Sequence, residues 1–246
     1  MIKPKPANWA EKLFARYLRG SLRRHFHAVR LHGSLPELRN NVPVLLLPNH
    51  GTWWDGFFVH VLNRLFLRRR LYVMMLAEQL RQYPFFRKLG AYGFDPDDRA
   101  DVLTTLRFTR DLLEDDRQAC VTIFPQGELT PVERRPLGFR PGAGWLIRRC
   151  KRPLNVLPLA MRVDQLGDEY PVVSLSFGEP MFVDAHESIS DSDLEAAVEA
   201  TLDRLTSAVH GNGPALEPVR DLMRGRKSIS ERIVEIRRLF GMQRNA

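Results

Sequence analysis

Val42-Pro43-Val44-Leu45-Leu46-Leu47-Pro48-Asn49-His50-Gly51-Thr52-Trp53-Trp54-Asp55 begins as an apolar run and turns, after Pro48, into polar, glycine and aromatic residues. The run over 42–47 has the length and the bounded character of a buried strand. A second run, 120–124, stops in the same way at Pro125-Gln126-Gly127-Glu128. Open α/β sheets gather their ligands and chemistry where strands end and loops begin. Two polar clusters at two strand ends therefore predict one site.

Outward from these runs the pattern alternates. A helix is expected over 56–68, a strand over 71–76, an irregular stretch through Tyr83-Pro84-Phe85-Phe86, and a helix over 100–114 with Leu103, Leu106 and Leu113 apolar. After the second run come a helix over 143–149, strands over 155–162 and 172–177, and a long helix over 194–209 behind the cap-rich Ser190-Asp191-Ser192-Asp193. Such alternation argues for an α/β fold, a single mixed sheet covered by helices, with an N-terminal amphipathic helix in front of it. The expected division is a basic membrane-associating helix over 1–28, an α/β domain over 29–210, and a basic helical extension of that domain over 211–246.

His50 and Asp55 are five residues apart, which on a regular helix is about 140° and too far round for contact. They meet if His50 lies in the strand-exit loop and Asp55 in the first turn of the next helix. Gly51 and Thr52 are the turn and cap types that allow this. Asp55 then accepts a hydrogen bond from one ring nitrogen and leaves the other free to take a proton. That is the base-and-orienter half of a hydrolase triad, without an obvious nucleophilic Ser or Cys. A substrate hydroxyl fits the missing role. The competing reading of an isolated His-x-x-x-x-Asp is a capping or core histidine.

The motifs together resemble the glycerolipid acyltransferase family, typified by lysophosphatidic acid acyltransferases. Asn49, His50 and Asp55 match its first motif, N-H-x-x-x-x-D. Leu89-Gly90-Ala91-Tyr92-Gly93-Phe94-Asp95 resembles the second, roughly G-x-x-F-x-D-R. Phe124, Pro125 and Gly127 match part of the third, F-P-E-G-T-R, and Phe139-Arg140-Pro141-Gly142-Ala143 resembles the basic stretch that trails it. Val156-Leu157-Pro158-Leu159-Ala160 resembles the fourth. Order and separations agree over 29–161. Gln126 stands where the family has Glu, Leu129 where it has Arg, and Pro96 where the second motif has Arg, with Arg99 the nearest arginine.

The resemblance implies acyl transfer from an acyl thioester, acyl-CoA or acyl carrier protein, with no other cofactor and no metal. The acceptor it implies is a lipid hydroxyl, of which a lysophosphatidic acid-like glycerolipid is the type. His50 is then the general base and Asp55 holds its tautomer. Substrate-binding positions carried over by motif are Asn49, Gln126, Gly127 and Glu128. Arg99 and Arg140, with Arg134 and Arg135, are candidates for a phosphate clamp from shifted places, because guanidinium forks match phosphate oxygens. Oxyanion donors are sought among backbone amides near Gly51 or Gly127. Trp53, Trp54, Phe57 and Phe58 fit either an acyl tunnel or the core side of the first helix. Alternatives are a non-phosphate acceptor such as a glycolipid or carotenoid-type hydroxyl, a hydrolase using water, and a basic membrane-binding module without catalysis.

The chain has 246 residues and a formal net charge of +8, enough length for one sizeable core. Cys120 and Cys150 are too few for a disulfide scaffold and suit a reducing, cytoplasmic setting. No run approaches the roughly 18 to 20 apolar residues that span a bilayer, and the first residues lack a signal-type apolar stretch. The expected place is therefore cytoplasmic, peripheral on the inner face of a membrane, with a lipid surface as partner. Residues 1–30 hold eight Lys/Arg against Glu11 alone, and 219–246 hold eight against three acids, so the body between them is mildly acidic. No helix-turn-helix, zinc or RNP-like pattern supports nucleic acid.

At the N-terminus Trp9, Leu13 and Tyr17, and then Phe14, Leu18 and Leu22, recur at helical spacing among Lys12, Arg16, Arg19, Arg23 and Arg24. Such a helix suits an anionic membrane surface or packs on the body with its arginines solvated. At the other end Ser228-Ile229-Ser230-Glu231 reads as a capping box. It precedes a stripe of Ile229, Ile233, Ile236 and Phe240 beside Arg232, Arg237 and Arg238, read chiefly as a packing helix.

Overall fold

The computed structural model of the chain describes residues 1–246 apart from 166, 168, 186, 230, 232 and 234–246. The run that opens the site becomes a strand, Val44–Pro48, buried along its whole length. In chain order the strands are β1 (Ala28–His32), β2 (Val44–Pro48), β3 (Arg70–Leu76), β4 (Ala91–Phe94), β5 (Ala119–Thr122), β6 (Leu154–Asp164), β7 (Val172–Phe177), β8 (Met181–Val183) and β9 (Val219–Arg224). Among the described residues they form one sheet in the order β4-β3-β5-β2-β6-β7-β1-β9, with β8 paired to β6 off that path.

The half of the sheet that carries the site is parallel. β2 pairs in parallel with β5 and β6, and β3 with β4 and β5. The C-terminal ends of these strands therefore open on one edge. A parallel strand covered on both faces reads as continuous apolar sequence, which is why both site-bearing runs are uninterrupted. The other half is mixed: β7 is antiparallel to β6, β1 parallel to β7, and β9 antiparallel to β1.

Alternate residues of β2 enter different cores. Val44 and Leu46 belong to one cluster and Leu45 and Leu47 to another, as the two-residue period of a strand requires. On the first face lie α1 (Asn8–His25) and α2 (Asp55–Leu62), which supply Phe14, Leu18, Leu22, Phe58 and Leu62. A short α3 (Ala77–Gln82) and a 3-10 turn, Pro84–Leu89, lead from β3 into β4. On the second face lie α4 (Arg99–Asp115), α5 (Ala143–Arg149) and α6 (Asp191–Val209), which supply Leu113, Leu146, Val198 and Leu202. Side-chain caps start α4 and α6: Asp98 accepts from the Ala100 and Asp101 amides, and Ser190 from that of Asp193.

α1 packs on the body but keeps part of its apolar surface outside. Phe14, Leu18 and Leu22 are buried, whereas Trp9, Leu13 and Tyr17 are 54%, 55% and 59% exposed. Lys12, Arg16, Arg19, Arg23 and Arg24 are exposed as well. The helix thus packs on the body with one apolar stripe and presents a second.

The helical extension expected over 211–246 needs correction. Its described part carries β9, which pairs with β1, and Leu222 and Met223 pack against the first core. An edge strand such as β1 otherwise leaves a row of backbone groups unpaired. The capping box forms: the Ser228 amide donates to Glu231 at 3.0 Å and the Glu231 amide to Ser228 Oγ at 3.2 Å. The rest of the stripe, Ile236 and Phe240 with Arg232, Arg237 and Arg238, lies outside the described residues.

Candidate active site

His50 leaves β2 two residues after its last strand residue, and Asp55 opens α2. The His50 Nδ1–Asp55 Oδ2 distance is 2.9 Å. A carboxylate accepts only, so the proton sits on Nδ1 and the Nε2 lone pair is left open. Asp55 is 2% exposed, and three further donors fix it. Its Oδ2 accepts from the Gly51 amide at 2.8 Å and the Thr52 amide at 2.9 Å, and its Oδ1 from the Thr52 hydroxyl at 2.7 Å. The His50 ring lies against the Phe124 ring, with centroids 4.2 Å apart and planes tilted by 30°. Loop geometry, not helix spacing, brings His50 and Asp55 together. Thr52, read only as a cap type, is the residue that ties the loop to the carboxylate.

The second strand end closes on the first. Gln126 Oε1 accepts the His50 backbone N–H at 2.6 Å, and the Thr130 N–H donates to the His50 carbonyl at 2.9 Å. Gln126 Nε2 also donates to Thr130 Oγ1. Gln126 is 2% exposed and does not line the cavity described below; its side chain is engaged by His50 and Thr130. Asn49 is likewise engaged within the fold. Its side chain is buried and spans the Met161 backbone, donating to the carbonyl at 2.9 Å and accepting from the amide at 2.7 Å. The oxyanion donors expected at Gly51 and Gly127 are both engaged, the first by Asp55 and the second by the Phe124 carbonyl at 3.0 Å. Thr130 had no local signal, because its partner is on another strand end.

Around His50 opens a cavity of about 630 Å3. Its walls are mainly apolar and include Phe57, Val73, Met75, Phe86, Phe94 and Leu106. Ligand pockets combine such walls with a few placed polar groups. Here the charged residues that line it are Glu128 and Arg140, whose closest side-chain atoms are 3.7 Å apart. Arg140 is seated over Gly127: a Cβ at that glycine, whose φ is +72°, would lie 2.9 Å from Arg140 Cδ. The Arg140 amide donates to the Pro125 carbonyl at 2.9 Å, which holds the trailing basic stretch against the third motif.

The other arginines are not part of these walls. Arg99 is exposed at the start of α4, and Arg135 is bonded to Asp203 and to the Val132 and Arg134 carbonyls. The four aromatics divide: Trp53 and Phe57 line the cavity, whereas Phe58 is fully buried and Trp54 packs on Phe26. His60, on α2, also lines the cavity. Burial, reinforced by the Arg64 charge, pushes its imidazole down to about 4. Burial pushes the Cys120 thiol up to about 12, which makes it an inert core residue.

The second motif contributes wall and strand. Gly90 has φ +91°, and a Cβ there would lie 2.1 Å from the Leu71 carbonyl oxygen. Only glycine lets the chain turn there into β4. Among the described residues no helix is long and apolar enough to cross a membrane.

No curated protein matches the chain. A family model described as Acyltransferase matches residues 28–162, from β1 through the strand that pairs with Asn49. That span holds the His50–Asp55 pair, the loop that braces it and most of the cavity wall, and covers more than half of the 246 residues; the chain belongs to the acyltransferase family.

Proposed function

We propose that the protein transfers an acyl group from a thioester, acyl-CoA or acyl carrier protein, to the hydroxyl of a lipid acceptor at a membrane surface. The observation that carries this reading is an oriented imidazole at the wall of an apolar cavity, with Nδ1 on Asp55 and no hydrogen bond on Nε2 among the described residues. The acceptor hydroxyl gives its proton to His50 Nε2 as its oxygen bonds to the thioester carbonyl carbon. The tetrahedral intermediate then expels the thiolate, the C–S bond breaks, and His50 returns the proton to sulfur. Asp55 stays a carboxylate and steadies the imidazolium between the two steps. The cavity takes an acyl chain, and its apolar walls exclude water that would otherwise hydrolyse the thioester.

Delivery from a membrane is supported by the outward stripe of α1. Leu13 and Tyr17, together with Trp53 and Tyr83, line a second groove that shares Phe14, Phe57 and Phe86 with the main cavity. A chain leaving the bilayer beside α1 would meet apolar surface as far as His50. A lysophosphatidic acid-like acceptor places its phosphate on Arg140. A second acceptor class, a neutral glycolipid or carotenoid-type hydroxyl, is favoured by the pairing of Arg140 with Glu128, because that carboxylate competes with a phosphate for the guanidinium.

The test is thiol release from acyl-CoA and from acyl carrier protein by the purified protein on liposomes, with each acceptor class in turn. Release that needs one acceptor and disappears in His50→Ala is the expected result. Release without any acceptor identifies a thioesterase. Liposome binding without release from either donor overturns the transferase reading of this site.

A further inference from the structure

We propose that Gln126 is a positioning residue for His50, acting from the neighbouring strand end, and makes no contact with the acceptor. The inference rests on His50 being the base. His50 is the first loop residue but one after β2, where a chain leaving a sheet has lost its ladder partners. Both of its backbone polar groups are caught by the loop after β5: its N–H by Gln126 Oε1 at 2.6 Å and its carbonyl by the Thr130 N–H at 2.9 Å. Gln126 and Thr130 also bond to each other through their side chains, and both are buried, at 2% and 6% exposure. The three residues make a closed ring of hydrogen bonds.

Two consequences follow. First, the backbone of His50 is fixed independently of Asp55, which fixes the ring. Two separate constraints on one residue set both where Nε2 lies and which way it points. Second, Gly127, Glu128 and Leu129 line the cavity and are bracketed by the two residues that grip His50. A ligand that displaces this stretch therefore displaces the base.

A carboxylate at 126 would serve the same brace. It accepts from the His50 N–H as the amide does, and the Thr130 hydroxyl turns to donate to it. An aliphatic side chain cannot. The measurements are steady-state kinetics of Gln126→Leu and Gln126→Glu and the 15N imidazole spectrum of His50, assigned by its loss in His50→Ala. In Gln126→Leu the expected result is a fall in kcat of about 100-fold, the scale of an ångström-sized misplacement, with the KM for each substrate within about twofold of wild type. The Nδ1–H tautomer signal of His50 broadens or shifts, and Gln126→Glu restores most of the rate and the wild-type spectrum.

Thr130→Val, which keeps the backbone bond and removes one side-chain partner, lowers kcat by a smaller factor in the same direction. It serves as the second probe if Gln126→Leu does not fold. The spectrum reads the brace without any turnover, so a protein inactive on every donor still decides it. A raised acceptor KM at unchanged kcat in Gln126→Leu, or a His50 spectrum identical in wild type and Gln126→Leu, overturns the proposal.

Discussion

Four hydrogen-bond donors converge on Asp55: the His50 ring, the Gly51 and Thr52 amides and the Thr52 hydroxyl. An amide in its place cannot accept from all of them. If the Asp55→Asn side chain keeps its oxygen in the Oδ2 place, its NH2 faces the Thr52 hydroxyl and the bonds from the His50 ring and both backbone amides survive, without the negative charge that steadies the imidazolium. If the NH2 turns to His50, it forces the imidazole proton onto Nε2 and removes the base. The expected loss in kcat is roughly 10⁴-fold, the scale seen when the carboxylate of a serine-protease triad is replaced by an amide. Stability should fall by about 1–3 kcal/mol for donors left unpaired, read from the urea midpoint; a loss in kcat below tenfold sinks the role given to Asp55. Gly127→Ala acts first on the wall, beside the brace. It introduces a side chain at φ +72° and drives Arg140 from its seat, with a stability loss of about 1–2 kcal/mol from the backbone alone. The expected kinetic signature is a raised KM for the phosphorylated substrate, and an unchanged KM would show that Arg140 touches neither donor nor acceptor. The His50–Asp55 contact was legible in sequence because its partners are five residues apart and the turn types between them are diagnostic. The contacts of Asn49 and Gln126 were not legible, because their partners lie 112 and 76 positions away, on other strand ends, and no local pattern reports them.

At the level of elements, α1 is divided between folding and surface. Phe14 packs among Phe57, His60, Phe85 and Phe86, so Phe14→Ala should destabilise by about 3–5 kcal/mol. Tyr17→Ser on the outward stripe should leave the thermal midpoint within a degree or two and weaken liposome binding; equal effects of both changes on stability would mean that the outward stripe is also core. The contact between α1 and α2 carries a pH dependence through His60, whose imidazole is pushed down to about 4 by burial first and by Arg64 second. The unfolded chain binds its proton near the ordinary histidine value of 6.5, so between about 6.5 and 4 the unfolded state holds more protons than the native state. Stability from this group is therefore complete above 6.5 and lost as pH falls toward 4, by about 3 kcal/mol. Urea midpoints across that window should drop in wild type and drop less in His60→Phe; parallel curves would exclude His60 as the source. Long or strongly apolar elements were legible: α4, α6, β2, β5, β6 and β7 lie close to where periodicity puts them. β1, β4, β8 and β9 were not, because each is short or polar in part and becomes a strand through its partner. β9 shows this plainly, since Val219-Arg220-Asp221-Leu222-Met223-Arg224 has no continuous apolar run and is defined by the free edge of β1.

For the whole molecule the arrangement of charge matters more than its sum. A net charge of +8 hides a mildly acidic body between two basic ends, and one of those ends is α1, whose exposed Lys12, Arg16, Arg19, Arg23 and Arg24 flank the outward Trp9, Leu13 and Tyr17. The groove beside that stripe runs into the cavity that holds His50. A membrane met by this face would thus find its headgroups among arginines and its chains at the entrance to the site. The two contributions respond to different variables. Each basic residue near an anionic surface adds about 1 kcal/mol at ordinary ionic strength, and that attraction is screened within a distance of about 10 Å at 0.1 M salt and 3 Å at 1 M. Burial of the aromatic and leucine side chains is not screened. Binding to vesicles with about a third anionic lipid should therefore weaken at least tenfold between 0.05 and 0.5 M salt and level off at a residual set by the apolar stripe. Replacing Trp9, Leu13 and Tyr17 together by serine should abolish the residual and keep the salt slope. Replacing Arg16, Arg19 and Arg23 by glutamine should flatten the slope and keep the residual. Thiol release from substrates dispersed as monomers should change little in the arginine variant, since Arg16, Arg19 and Arg23 line neither the cavity nor the groove. If anionic and neutral vesicles bind alike at low salt, the basic face of α1 is solvated surface and the lipid reaches the cavity from another side.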